Sequence, residues 1–361
     1  MAKYGHYMLK EIYDEPESIR LTVKAGEKKL QKVVRTLKGI GFQRIFLVGC
    51  GSSYYSGIAG KYFIEKFAKI HSSSVPALEF VKYASTVVGA ESLVICVSQS
   101  GETIETLKAL RKAKEKGAYV LSLTNNGKSS LARETDLAIQ TSAGTEIGPG
   151  TKTVVTQMML LFDLALTMAG EIGKLPRERA SCIISTLANE VPKTIARVLR
   201  SKDGCMRALA RKYKDMRDIY IVGSGPCFPC ALQVSNLIKE TALIHAEAFS
   251  VEEFRHGPME ILDLDSIFIA INPLGSGRTS LLKLIERVKK IGSKVISLAG
   301  ERDLDTRRLS DEFISMPRNF DEWQASFLYL PILQLFAYYL AIERNIDPDN
   351  FRNIRKTWTS E

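Results

Sequence analysis

No apolar run in the 361 residues reaches the roughly 18 that a membrane span needs. The opening Met1-Ala2-Lys3-Tyr4-Gly5-His6 lacks the apolar core of a signal peptide. Six cysteines occur, but only Cys227-Phe228-Pro229-Cys230 has C-x-x-C spacing, and no second pair completes a zinc site. That pair reads as helix packing, with a redox or structural disulfide as the alternative. Cys50 and Cys96 fall in strand-like apolar runs, where cysteine acts as a small hydrophobe. These absences point to a reducing, cytoplasmic setting.

Apolar residues make up 45% of the chain and charged residues 25%, as in ordinary globular proteins. The net charge of +10 raises the question of nucleic acid or membrane surfaces. Basic runs such as Arg111–Lys116 and Arg287–Lys290 sit near helix C-termini, where cations complement the dipole. No aromatics are interleaved with them as a single-strand binder requires. Neither a nucleic-acid nor a membrane partner is expected.

What the chain does contain is a long internal repeat. Arg44–Ser52 reads as a buried strand ending in a glycine turn, Ser92–Val97 as a second strand, and Ala118–Leu123 as a third. Between the last two, the Ser98-Gln99-Ser100-Gly101-Glu102-Thr103 turn opens a helix through Lys116 that Gly117 stops. Asp136–Ile139 adds a later strand. The order recurs with Asp218–Gly225, Ser266–Ile271, a helix over Ser280–Lys290 and Lys294–Leu298. Short apolar strands alternating with helices imply parallel βαβ units. The fold class is therefore α/β: two tandem doubly wound parallel-sheet domains with helices on both faces. Long helices over Gly150–Ala169 and Pro176–Leu199 are expected between them.

Ligands of such sheets bind at the carboxyl ends of the strands. Both the Ser98–Thr103 turn and the Gly51-Ser52-Ser53 turn lie there. Ser98 and Ser100 bring hydroxyls, Gly101 lets the backbone bend close, and Thr103 is expected in the first helical turn. Hydroxyls with helix N-terminal amides can hold a phosphate dianion. One such turn fits simple N-capping equally well; two in one sheet favour a phosphate. A dinucleotide is disfavoured, because Tyr54 and Phe228 stand where the third glycine of G-x-G-x-x-G would be. The second copy, with Pro226, Cys227 and Gly275–Thr279 at these places, is less well furnished, so one sugar-phosphate site per chain is expected.

The Ser98–Thr103 turn resembles the signature of sugar isomerase (SIS) domains. Nearly the whole chain is similar to the isomerase half of the glucosamine-6-phosphate synthase family. The resemblance rests on His6–Ile12, Gly144–Gly148, His245–Ala248, Arg255–Pro258 and the tail Arg352–Glu361. It implies flavodoxin-like SIS domains over 36–200 (phosphate-binding) and 201–345. A helical segment over 1–35 and a catalytic tail over 346–361 flank them.

The resemblance also assigns roles. Glu240 would shuttle the proton between C1 and C2. His256 would open the pyranose ring, reaching the site from a neighbouring subunit of a homodimer. Lys356 would form an imine with the open-chain ketose. Ser52, Ser53, Ser98, Gln99, Ser100, Thr103, Pro149 and Arg355 would contact substrate; no metal or cofactor is implied. His245, in an apolar stretch, reads as structural.

The family's amino-terminal glutaminase, with its cysteine nucleophile, is expected to be absent, since the isomerase-like part begins at residue 1. The expected activity is a glucosamine-6-phosphate deaminase, interconverting that sugar with fructose 6-phosphate and ammonia. The alternatives are an isomerase subunit using free ammonia or a separate glutaminase, and a deglycase or isomerase for another phosphosugar. A non-catalytic sugar-phosphate sensor is disfavoured: no helix-turn-helix is visible, and a sensor has no use for Glu240, His256 and Lys356 together. Gly148–Thr153 reads one residue shorter than in the synthases. Leu237 replaces a lysine, which is expected to remove a charge near the substrate.

Overall fold

The computed structural model describes residues 4–359. Met1–Lys3 and Ser360–Glu361, the ends of two stretches quoted above, lie outside them. In chain order the elements are α1 (Tyr7–Ile40), β1 (Arg44–Gly49), α2 (Ser52–Phe67), β2 (Ser72–Pro76), α3 (Ala77–Lys82), β3 (Ser92–Ser98), α4 (Ile104–Glu115), β4 (Tyr119–Thr124), α5 (Ser130–Glu134), β5 (Leu137–Gln140), α6 (Lys152–Glu171) and α7 (Arg177–Tyr213). Then come β6 (Asp218–Gly223), α8 (Phe228–Ala242), β7 (His245–Ser250), α9 (Val251–Phe254), β8 (Ser266–Asn272), α10 (Arg278–Ile291), β9 (Lys294–Gly300), α11 (Leu304–Leu309), β10 (Glu312–Met316) and α12 (Glu322–Glu343).

The chain divides into two compact units. One comprises Asp14–Glu146, Gly150–Lys193 and Asn353–Glu361; the other comprises Met1–Tyr13, Ile147–Pro149 and Thr194–Arg352. For brevity they are the tail-bearing unit and the second unit. Each holds one five-stranded, wholly parallel sheet, in the orders β2-β1-β3-β4-β5 and β10-β9-β8-β6-β7. Counted within each repeat, both orders are 2-1-3-4-5, the flavodoxin-like arrangement.

Residue alternation explains the layers. In the tail-bearing unit Phe46, Val48, Val94, Cys96 and Val120 pack with Phe80, Leu107, Leu110 and Leu131 of α3, α4 and α5. On the opposite face Leu47 meets Gly57 and Gly60 of α2, and Phe63 of α2 stacks 4.6 Å from Phe162 of α6. Strands covered on both faces must be apolar throughout, as β1 and β3 are. The second unit repeats this with Tyr220, Val222, Phe268 and Ala270 against Phe254, Leu281 and Leu284.

Three expectations need correction. The long helices run from Lys152 to Glu171 and from Arg177 to Tyr213, the latter passing through Pro192. Two helices, Lys152–Glu171 and Glu322–Glu343, are long and apolar enough to cross a membrane by length and composition. Scattered Thr, Ser, Gln and Pro residues hid these runs from a scan for unbroken apolar sequence. In each, 94% of the apolar stretch is buried within the protein, leaving almost no face for lipid. His245 is exposed at the start of edge strand β7, its Nδ1 2.6 Å from Asp218 Oδ1. Leu237, where a lysine is expected by resemblance, is fully buried on α8.

Candidate functional site

In the tail-bearing unit β1 and β3 are neighbours, with Val48 opposite Cys96. After β1 the chain leaves toward β2, and after β3 toward β4, so the sheet's switch point lies between them. The Gly51-Ser52-Ser53 and Ser98–Thr103 turns therefore leave adjacent strand ends, about 5 Å apart at the strands.

The Ser98–Thr103 turn is tied by its own side chains. Ser98 Oγ accepts from Gly101 N at 3.1 Å and lies 3.1 Å from Thr103 Oγ1. Ser100 Oγ accepts from Glu102 N at 3.2 Å. A hydroxyl that accepts a bond keeps its hydrogen to donate, so Ser100 can still serve an oxyanion. Gly101 has φ 68°. A Cβ there would fall 2.1 Å from Ser129 Oγ, so only glycine lets the turn pack against α5. The helix begins at Ile104, so Thr103 is its N-cap rather than a residue of the first turn.

Ser52 and Ser53 open α2. Ser53 Oγ accepts from Gln157 Nε2 at 3.2 Å, and Gln157 Oε1 in turn accepts from Ser56 Oγ at 3.0 Å. Gln157 is buried on α6 and was not singled out in the sequence, because nothing local marks a glutamine on an apolar helix as a brace for a turn a hundred residues earlier. Gln99 and Ser100 line a groove of about 970 Å³, with Asn125, Thr145 and Glu146 on its other sides.

The carboxyl-terminal tail returns to this site. Trp358 O accepts from Ile104 N at 3.1 Å, at the first turn of α4. Lys356, its side chain 26% exposed, lies with Nζ 2.8 Å from Glu146 O and 3.4 Å from Glu146 Oε2. The Glu146 side chain is 1% exposed. Its Oε1 accepts from Thr151 N and Thr153 N, both at 3.0 Å, and its Oε2 from Thr153 Oγ1 at 2.6 Å. Glu146 thus caps α6 and holds the tail lysine at once. The sequence showed it only inside a matching stretch; an acid shortly before Thr151-Lys152-Thr153 was the available signal. Arg355 is exposed.

The remaining candidates belong to the second unit. Glu240, half-buried near the end of α8, receives Asn236 Nδ2 at 2.7 Å on Oε1. His256 is exposed in the turn after α9, its backbone N–H donating to Glu253 O, with Gly257 following at φ 126°. Pro149 is buried. Cys227 and Cys230 are free and fully buried, and burial pushes both thiols up, Cys230 to about 12. Neither offers a thiolate near neutral pH. Where the repeat puts a second Ser98-type turn, a carboxylate already sits. Ser276 N donates to Glu322 Oε2 at 2.9 Å, and Ser276 Oγ lies 3.1 Å from the same oxygen.

Comparison with known proteins agrees with this architecture. The SIS domain model matches residues 42–168 and 212–344. Over all 361 residues the chain is 36% identical to a glutamine–fructose-6-phosphate aminotransferase (isomerizing) of Thermococcus kodakarensis. It is 36% identical, over 99% of its length, to the Chlorobaculum tepidum protein of that name. The chain spans 59% of the length of each of these relatives. Among solved structures, the C-terminal domain of glucosamine-fructose-6-phosphate aminotransferase from Francisella tularensis superposes with TM-score 0.89 at 30% identity, covering 96% of this chain and 98% of that one. The family model covers well over half of the residues, and the chain belongs to the SIS domain family.

Proposed function

We propose that the protein interconverts glucosamine 6-phosphate and fructose 6-phosphate, with release or uptake of ammonia. The observation that carries this reading is the return of the tail. Imine chemistry needs an amine beside the phosphate turn, and Trp358 O on Ile104 N with Lys356 on Glu146 brings one to the unit that carries the turn.

In this reading the phosphate rests on the hydroxyls of Ser98, Ser100 and Thr103 and on the helix-terminal amides around them. Ser52 and Ser53, the latter braced by Gln157, contact the sugar with Gln99, Pro149 and Arg355. The internal carboxylate on Ser276 supports a single such site per chain.

Lys356 gives a proton to Glu146, and its neutral amine attacks C2 of the open ketose; the C2 oxygen leaves as water as the C=N bond forms. Ammonia then takes the place of the lysine amine. Glu240 moves the proton between C1 and C2, and its bond from Asn236 fixes the carboxylate's orientation. His256 opens the ring and acts across the interface of a homodimer; its exposed turn is consistent with that placement. This reading keeps domain limits of 36–200 and 201–345, with 346–361 as a catalytic tail.

A second reading is an isomerase subunit that runs only toward the amino sugar, fed by free ammonia or a separate glutaminase. The names of the relatives favour it. One assay separates the two. Purified protein is given glucosamine 6-phosphate, and separately fructose 6-phosphate with ammonium salt or with glutamine. We expect ammonia and fructose 6-phosphate in the first arm. Product only in the second arm selects the subunit reading. Tight binding without turnover in either arm rejects an enzyme.

A further inference from the structure

Asp163, on α6, is 3% exposed, and its Oδ2 has no hydrogen-bond partner. Its Oδ1 accepts from Thr167 Oγ1 at 3.2 Å. An unmade bond at a buried carboxylate is costly, so Oδ2 is open to a donor entering the cavity, ligand or water. Asp163 lines a cavity of about 530 Å³ between α1, α6 and α7, wholly within the tail-bearing unit. This lies in the size range of small-molecule sites.

The lining is amphoteric. Arg20 and Arg177 at its edge are engaged by Glu17 and Glu171. Lys24 and Arg35 also line it, and neither has an ion-pair partner among the described residues. Glu27 stands beside Asp163 as a second carboxyl. Gln31, Ser181 and Asn189 add neutral polar groups. None of these residues belongs to the turns that hold the phosphate. Asp163 is six residues beyond Gln157 on α6, about 9 Å along the helix axis.

We propose that this cavity is a second small-molecule site, which takes an amino-sugar phosphate. The ammonium donates to Asp163 and Glu27, the phosphate faces Lys24 and Arg35, and the neutral groups meet the ring hydroxyls. The cavity's chemistry requires only an ammonium and an oxyanion on one molecule; the amino-sugar phosphate itself rests on the function proposed above.

The test is calorimetric titration of the full chain carrying Glu240→Gln, which is expected to bind without turnover, with glucosamine 6-phosphate as probe. Two binding events per chain are expected. Asp163→Asn, which keeps the side-chain shape, and independently the exposed-face change Lys24→Ala with Arg35→Ala, should each weaken one event about tenfold. Ser98→Ala with Ser100→Ala should abolish only the other. Fructose 6-phosphate, lacking the ammonium, and glucosamine, lacking the phosphate, should each bind the cavity at least about tenfold more weakly than the probe. In the otherwise wild-type chain, Asp163→Asn should leave kcat unchanged. A single event insensitive to both cavity variants overturns the proposal and leaves the proposed function standing. A cavity-dependent event with none at the serine turn does the reverse. Equal binding of the two single-group controls overturns the amphoteric recognition.

Discussion

Gly101→Ala tests the phosphate turn against a built-in control. Gly101 and Gly117 both hold left-handed backbone, at φ 68° and 79°. An alanine at Gly117 would meet nothing within 4 Å. It should cost only the left-handed strain, ~1–2 kcal/mol. At Gly101 the added Cβ falls 2.1 Å from Ser129 Oγ and 2.9 Å from Thr124 Oγ1. Both hydroxyls are already engaged: Ser129 caps α5 by accepting from Ala132 N, and Thr124 Oγ1 donates to Gln99 O. Displacing a cap costs ~1 kcal/mol, and forcing volume into a packed site ~1–3 kcal/mol. Gly101→Ala should therefore be destabilised by roughly 3–6 kcal/mol in all, against ~1–2 for Gly117→Ala. Urea unfolding of the two variants measures the gap, and titration with fructose 6-phosphate measures the consequence. Gly117→Ala should bind as the parent does, whereas Gly101→Ala should lose binding. Equal stability of the two variants, or intact binding by Gly101→Ala, would refute the packing argument for this turn.

Other predictions concern the residues of the second unit and the buried acid. Glu240→Gln should abolish turnover while sugar-phosphate binding persists; lost binding would make Glu240 a structural residue. Mixing Glu240→Gln and His256→Ala chains should restore activity in the mixed dimers, because one site then holds both intact groups. No recovery after confirmed subunit exchange would put His256 to work within its own chain. Burial pushes the Asp163 carboxyl up to about 7, its bond from Thr167 opposing this and Glu27 adding to it. The unfolded carboxyl ionises near pH 4, so folding is most favoured below that pH and loses stability as pH rises toward 7. The loss amounts to roughly 3–4 kcal/mol by pH 8. Asp163→Asn should be the more stable chain at pH 8 and show little of this slope; denaturant unfolding at pH 5 and 8 would expose the opposite.

The apolar central strands were legible because strands covered on both faces must be apolar: β1, β3, β4, β6, β8 and β9 each announced themselves. Of the edge strands only β5 did, as Asp136–Ile139. β2 is Ser72-Ser73-Ser74-Val75-Pro76, with only Ser72 buried, and carries no apolar signal. β7 and β10 likewise pair on one side only. At the candidate site the two turns could be read because glycine and serine cluster locally where strands end. Glu146, Gln157 and the Trp358 carbonyl could not, because each acts across a long sequence separation. The same holds for Glu322, whose carboxylate on Ser276 closes the second copy of the turn. Lys356 gained its importance in the sequence from resemblance alone; its contact with Glu146 gives it a structural reason to be where it is.

The central claim is that the sugar phosphate held at the Ser98–Thr103 turn is turned over through the tail lysine. Borohydride reduction in the presence of fructose 6-phosphate, followed by peptide mass spectrometry, tests it most directly. The account predicts a reduced hexitol phosphate adduct on Lys356, lost when Gly101→Ala removes binding. An adduct on another lysine, or none while turnover proceeds, would contradict it.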